Sequence, residues 1–201
     1  LQDNIAAIRI ALEWEKGKSM AEEDIAALQK YTGFGGIKAV LFPFVDKGEW
    51  VKQNASEADL RLFPVITELH ELLQQHLPEA EYKETISSLK NSVLTAFYTP
   101  EIIPQTLYNT LAANQVRPRY LYEPSAGAGV FLTEAVKVFP DLQQVAAIEK
   151  DILTGKILSA LCSTFPFPAK VHITGLEQTP ASENGKYDLI VSNIPFGNFL
   201  V

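Results

Sequence analysis

The sequence predicts an α/β fold in two parts: a helical region over residues 1–90, then a central, mostly parallel sheet of about four strands within residues 91–201. Three observations predict it. Apolar side chains recur every three to four positions through the first ninety residues. After that, short β-like runs alternate with helical runs. The composition, with 47% hydrophobic and 20% charged residues in 201, is that of a globular chain.

In the helical region, Ile5, Ile8, Leu12 and Trp14 share one side of a first helix, which Gly17 ends. Ser19 and Glu22 fit a capping box for a second helix carrying Ile25, Leu28 and Tyr31. The run TGFGG, flanked by aromatics, reads as a tight turn to which no chemistry is assigned. Residues 45–54 read as a polar loop. Ser56 and Asp59 fit the start of a long helix through Leu60, Phe63, Ile66, Leu69 and Leu73, ending near His76 and Pro78. Another helix is expected from Glu79 to Ser92.

The character changes near residue 95. Thr99 before Pro100 fits an N-cap followed by a first helical position. The helix after it carries Ile102, Ile103, Leu107 and Leu111. From 119 onward the order is β-α-β-α-β-β, with strands at 119–123, 145–149, 170–174 and 187–192 and helices at 130–139 and 151–162. Strands separated by helices favour a parallel sheet covered on both faces. Such folds normally have more than four strands, so the sheet is expected to be incomplete and the chain to be the front part of a larger protein.

Charge and residue usage exclude several classes of function. A net charge of −7 is wrong for a basic protein that wraps nucleic acid. The single Cys162 cannot form an intrachain disulfide or a thiolate metal cluster, and it reads as a core residue. His70, His76 and His172 are too scattered for a metal site, so no metal is expected. No apolar run reaches the roughly 18 residues needed to cross a bilayer. The first residues lack a signal-like block, and a cytoplasmic location is expected. Trp14 and Trp50 read as packing residues, Trp50 partly exposed. Phe34 reads as a plug within its own lobe.

Three segments carry chemistry. Glu123-Pro124-Ser125-Ala126-Gly127-Ala128-Gly129 joins a strand to a helix, where glycines let backbone N–H groups approach a ligand. Glu149 ends the second strand, where a carboxylate accepts from ribose hydroxyls. Together they point to a nucleoside-bearing cofactor, either a dinucleotide or S-adenosylmethionine. Glu123 favours the second, because a carboxylate repels a pyrophosphate and attracts an amino group. The third segment, Ser192-Asn193-Ile194-Pro195-Phe196-Gly197, follows the fourth strand. The Asn193 amide oxygen and the Ile194 carbonyl suit the two hydrogens of a nucleobase amine. Phe196 suits stacking on an extruded base.

On these residues the chain resembles class I S-adenosylmethionine-dependent DNA adenine-N6 methyltransferases, which have a Rossmann-like fold. It most resembles the methylase portion of large phage and mobile-element proteins, often linked to helicase-type domains. The resemblance covers about residues 91 to 200. It implies that Phe97, Tyr98, Thr99 and Pro100 line the methionine end of the cofactor. It implies that Gly175, Leu176 and Glu177 flank the adenine ring, and that Asn193, Ile194, Pro195 and Phe196 form the catalytic turn. Ile194 departs from the family's usual proline and loosens that backbone. The implied reaction is methyl transfer to adenine N6 in double-stranded DNA, contacted mainly through parts beyond this chain, which alone is expected to be inactive. Three alternatives stay open: transfer to RNA adenine or protein glutamine, a cofactor- or DNA-binding module without catalysis, and a helical half that docks a helicase-type neighbour.

Overall fold

The computed structural model describes residues 1–42, 46–93 and 98–194. Helix α1 (Gln2–Glu15) buries Ile5, Ile8, Ala11 and Leu12 on one face, and Gly17, at φ 91°, ends its turn. Helix α2 (Glu22–Leu28) starts differently from expectation. Its N-cap is Ala21, whose N–H donates to Asp24 at 2.9 Å. The Ser19–Glu22 box therefore does not form, and Tyr31 lies beyond the helix. The acidic run Glu22-Glu23-Asp24 suits this start, since negative charge matches a helix N-terminus.

The expected polar loop at 45–54 is instead largely helix α3 (Lys47–Lys52). Asp46 caps it, accepting from the Glu49 N–H at 3.0 Å. Trp50 is buried, not partly exposed, and its ring meets Phe42 and Phe63 at centroid distances of 5.0 Å each. Helix α4 (Glu57–His76) begins as the sequence indicates: the Ser56 N–H donates to Asp59 at 2.9 Å, and the Asp59 N–H donates to Ser56 at 3.1 Å. Helix α5 (Glu79–Ser92) follows. His70 is buried and hydrogen-bonded to the Tyr82 hydroxyl at 2.7 Å and the Val40 carbonyl at 3.1 Å, a structural role.

Helix α6 (Ile102–Ala113) begins two residues later than Thr99-Pro100 suggests, with Glu101 at its cap. Its buried side carries Pro104 and Tyr108, while Ile102, Ile103 and Leu107 are exposed. The Tyr108 ring packs edge-on against Phe131 and Phe139, which sets that orientation.

The remainder alternates β1 (Tyr120–Glu123), α7 (Val130–Val138), β2 (Gln144–Glu149), α8 (Ile152–Cys162), β3 (Ala169–Ile173) and β4 (Leu189–Ile190). The strands are all parallel, in the order β3-β2-β1-β4. Leu121 pairs with Val145 on one side and Leu189 on the other. Leu121, Val145 and Ala147 share a core with Leu132 and Ala135 of α7 and Leu158 of α8. Both crossover helices thus cover one face. The expected cover on both faces is supplied by helices on one side and by the β3–β4 connection on the other. On the other face the β3–β4 connection crosses β1, with Tyr122 stacked on Tyr187 and bonded to Thr179.

Helix α8 serves two cores. Leu158 and Cys162 face the sheet, whereas Leu153, Ile157, Ala160 and Leu161 pack with the N-terminal helices. A helix apolar on all sides is one enclosed on all sides. An ion pair between Lys156 of α8 and Glu15 of α1, at 2.7 Å, adds to the contact. Gly155 lets α8 press on β3: a Cβ there would meet Ile173 at 2.7 Å.

A shared helix predicts shared unfolding. Ile157→Ala should lower stability by about 2–5 kcal/mol. In urea, tryptophan fluorescence, which reads Trp14 and Trp50 of the helical layer, should shift together with far-ultraviolet ellipticity in one transition. A fluorescence transition left at the parent midpoint would contradict the shared core.

Candidate functional site

The chain reverses its strand order at β1: β2 and β3 lie on one side of it and β4 on the other. In open parallel sheets, ligands sit at the carboxyl ends of the strands where the order reverses. A cleft of about 1390 Å³ lies there. That exceeds the roughly 300–1,000 Å³ usual for a single small ligand, so it has room for a second group beside one.

Glu123 is the last residue of β1, and alternation along the strand turns it toward the helices. It is 1% exposed, and its Oε2 is buried without a hydrogen-bond partner among the described residues. Burial, reinforced by the Glu149 charge, holds its carboxyl well above the ordinary value of 4.5. An unsatisfied buried carboxyl is costly, and a cationic donor placed beside it would remove that cost.

The loop after β1 turns at Gly127, where φ is +54°. That conformation suits glycine. It directs the Gly127 N–H to Glu149 Oε2 at 2.8 Å. The other Glu149 oxygen accepts from the Asp151 N–H at 2.7 Å. Burial raises the Glu149 carboxyl, and these N–H groups offset part of the rise.

Around this pair the structure brings together Tyr98, Thr99, Pro100, Pro124, Ser125, Ala126, Glu177, Asn193 and Ile194, all lining the cleft. Glu177 reaches the Glu149 end of the sheet through an ion pair with Lys150 at 3.8 Å. Thr99 does not cap α6. Its hydroxyl accepts from the Asn193 side-chain amide at 3.1 Å, across 94 residues of sequence. That bond holds the amide nitrogen and not the amide oxygen. Gly129 is not among the lining residues: it caps α7 with φ +83° and lies against Leu158. Phe97, Pro195 and Phe196 lie outside the described residues.

Sequence reasoning missed the wall contributed by the helical region. Tyr31, Thr32, Ser88 and Ser92 all line the cleft. Ser88 and Ser92 donate to Asp151 Oδ2 at 3.2 and 3.0 Å. Thr154 bonds Asp151 Oδ1 through its N–H and hydroxyl, at 2.9 and 2.8 Å. The serines four residues apart on α5 were the available signal, since that spacing places both hydroxyls on one face. Among the described residues, no group of three or more His, Cys, Asp or Glu could hold a metal ion. No helix there is long and apolar enough to cross a membrane.

No protein-family model and no curated protein matches the chain. Among solved structures, it is similar to a type I restriction-modification methyltransferase subunit from Streptococcus thermophilus. The identity is 13% and the TM-score 0.44, over 96% of this chain and 56% of that one. It is also similar to a protein described as a modification subunit of a type I restriction enzyme from Vibrio vulnificus. Here the identity is 16% and the TM-score 0.41, over 96% of this chain and 54% of that one. The chain thus spans about half the length of either. Neither likeness is strong enough to carry a function, which rests on the cleft itself.

Proposed function

We propose that the cleft binds S-adenosylmethionine and that the protein transfers its methyl group to the N6 amine of adenine in DNA. The observation that carries this reading is Glu123: a buried acid whose Oε2 has no hydrogen-bond partner among the described residues, at the strand crevice beside a glycine turn and a strand-end acid. These residues fit the proposed ligand. Glu123 offers an acceptor to an amino group, Gly127 leaves room for close approach, and Glu149 offers acceptors to ribose hydroxyls.

When bound, S-adenosylmethionine supplies a methyl group activated by a sulfonium. The chain's own residues do the rest. Thr99 holds the Asn193 amide so that its oxygen accepts one hydrogen of the target amine, and the Ile194 carbonyl takes the other. The amine nitrogen, relieved of conjugation, then directs its lone pair into the cleft. Positioning and exclusion of water supply most of the rate, without a covalent enzyme intermediate. Double-stranded DNA is the proposed partner. A net charge of −7 argues against contact spread over a broadly basic surface.

Two variants separate binding from chemistry. Glu149→Ala should raise the dissociation constant for S-adenosylmethionine tenfold or more, about 1.4 kcal/mol, in calorimetric titration. Asn193→Ala, made in the complete protein, should bind the cofactor as the unsubstituted protein does, yet lose about a hundredfold or more of the rate. The readout is N6-methyladenine in digested duplex, measured by mass spectrometry. Parent-level methylation by Asn193→Ala would remove the catalytic assignment.

Glu123 also predicts a pH dependence. Its carboxyl is raised in the folded chain, so the unfolded chain releases this proton first as pH rises above about 4.5. The associated stability is complete below that pH and is lost as pH rises toward the folded value. Glu123→Gln should therefore flatten the fall in urea midpoint as pH rises above about 4.5. Equal slopes in parent and variant would contradict a raised Glu123 carboxyl.

A further inference from the structure

The TGFGG run, without chemistry on sequence grounds, opens against the cleft. Tyr31 and Thr32 line it alongside Tyr98 and Gly127. The turn is held from below by Asn4, a buried polar residue of α1. Its amide donates to the Gly33 carbonyl at 2.5 Å, and its oxygen accepts from the Thr32 N–H at 2.9 Å.

Gly33 adopts φ +66° and touches Tyr98. A Cβ there would collide with the ring edge formed by Cε2, Cζ and the hydroxyl, with Cζ only 2.7 Å away. The opposite ring edge faces Gly127, where a Cβ would lie 3.6 Å from Cε1. Tyr98 is thus bracketed by two residues without side chains, one from the helical region and one from the glycine loop. Its hydroxyl and that of Tyr31 both reach Thr154 Oγ1 at 3.3 Å, and the two rings meet edge to face at 6.1 Å.

We propose that the Tyr31-Thr32-Gly33 turn is a built wall of the cofactor site, seating Tyr98 against the glycine loop. The proposal rests on the S-adenosylmethionine reading above and gives the helical region a direct part in binding. Tyr98 touches the ligand; Gly33 acts through Tyr98 and is a positioning residue.

A double-mutant cycle tests it, by titrating the 201-residue chain with S-adenosylhomocysteine. Gly33→Ala and Tyr98→Ala should each weaken binding tenfold or more. The double variant should bind no worse than Tyr98→Ala. Backbone strain is separated from collision by two further variants. Gly33→Asn tolerates the left-handed conformation yet adds a Cβ, and should also lose affinity. Gly36→Ala has the same strain, at φ +77°, with no atom within 4 Å of its Cβ, and should keep affinity. Thermal melts and ellipticity confirm that each variant is folded. Unchanged binding by folded Gly33→Ala and Gly33→Asn, or fully additive losses in the double variant, would overturn the wall while leaving the cofactor reading intact. No binding by the parent chain would overturn the cofactor reading and the wall with it.

Discussion

The Asp151 carboxylate is the joint on which the rest of the arrangement depends. It is buried at the start of α8 and accepts from Thr154 through two donors and from Ser88 and Ser92 of α5. A buried carboxylate is stable only when its lone pairs are met. Here the donors come from both the sheet's own helix and the helical layer. The Asp151 N–H meanwhile holds Glu149. One residue thus caps α8, ties α5 to it and sets the acid at the end of β2.

The two acids of the cleft differ through their surroundings. Glu149 has two backbone N–H groups on its oxygens and remains in reach of hydroxyls. Glu123 has an unmet oxygen and a raised carboxyl. That contrast is the physical content of the site: Glu149 is an acceptor held in place, and Glu123 keeps an oxygen unmet among the described residues. Buried polar atoms without partners are rare in folded proteins, and here one lies at the strand crevice where parallel sheets bind ligands. Among the described residues, the Ser192 hydroxyl, next to Asn193, is likewise buried without a hydrogen-bond partner.

The sheet half of the fold was legible because its signals are local. Strand and helix periods and the glycines after β1 each span a few residues, and they marked the elements of that half. The long helix α4 was legible through its reciprocal Ser56–Asp59 cap. What escaped depends on distant partners. Trp50 reads as partly exposed beside Gly48, yet Phe42 and Phe63 enclose it. Thr99 has the form of a cap, yet its partner is Asn193. The exposed side of α6 is decided by Phe131 and Phe139, not by its own sequence. The helical region's wall escaped for the same reason: Tyr31 meets Thr154 across 123 residues, and no local pattern encodes that.

The central claim is that the cleft between Glu123, Gly127 and Glu149 holds S-adenosylmethionine. The most direct measurement is a crystal structure of the chain grown with S-adenosylhomocysteine. The account predicts ligand density in that cleft, with the amino group within hydrogen-bond distance of Glu123 and the ribose hydroxyls on Glu149. Density elsewhere on the surface, or a ligand in the cleft that leaves Glu123 Oε2 without a partner, would contradict it.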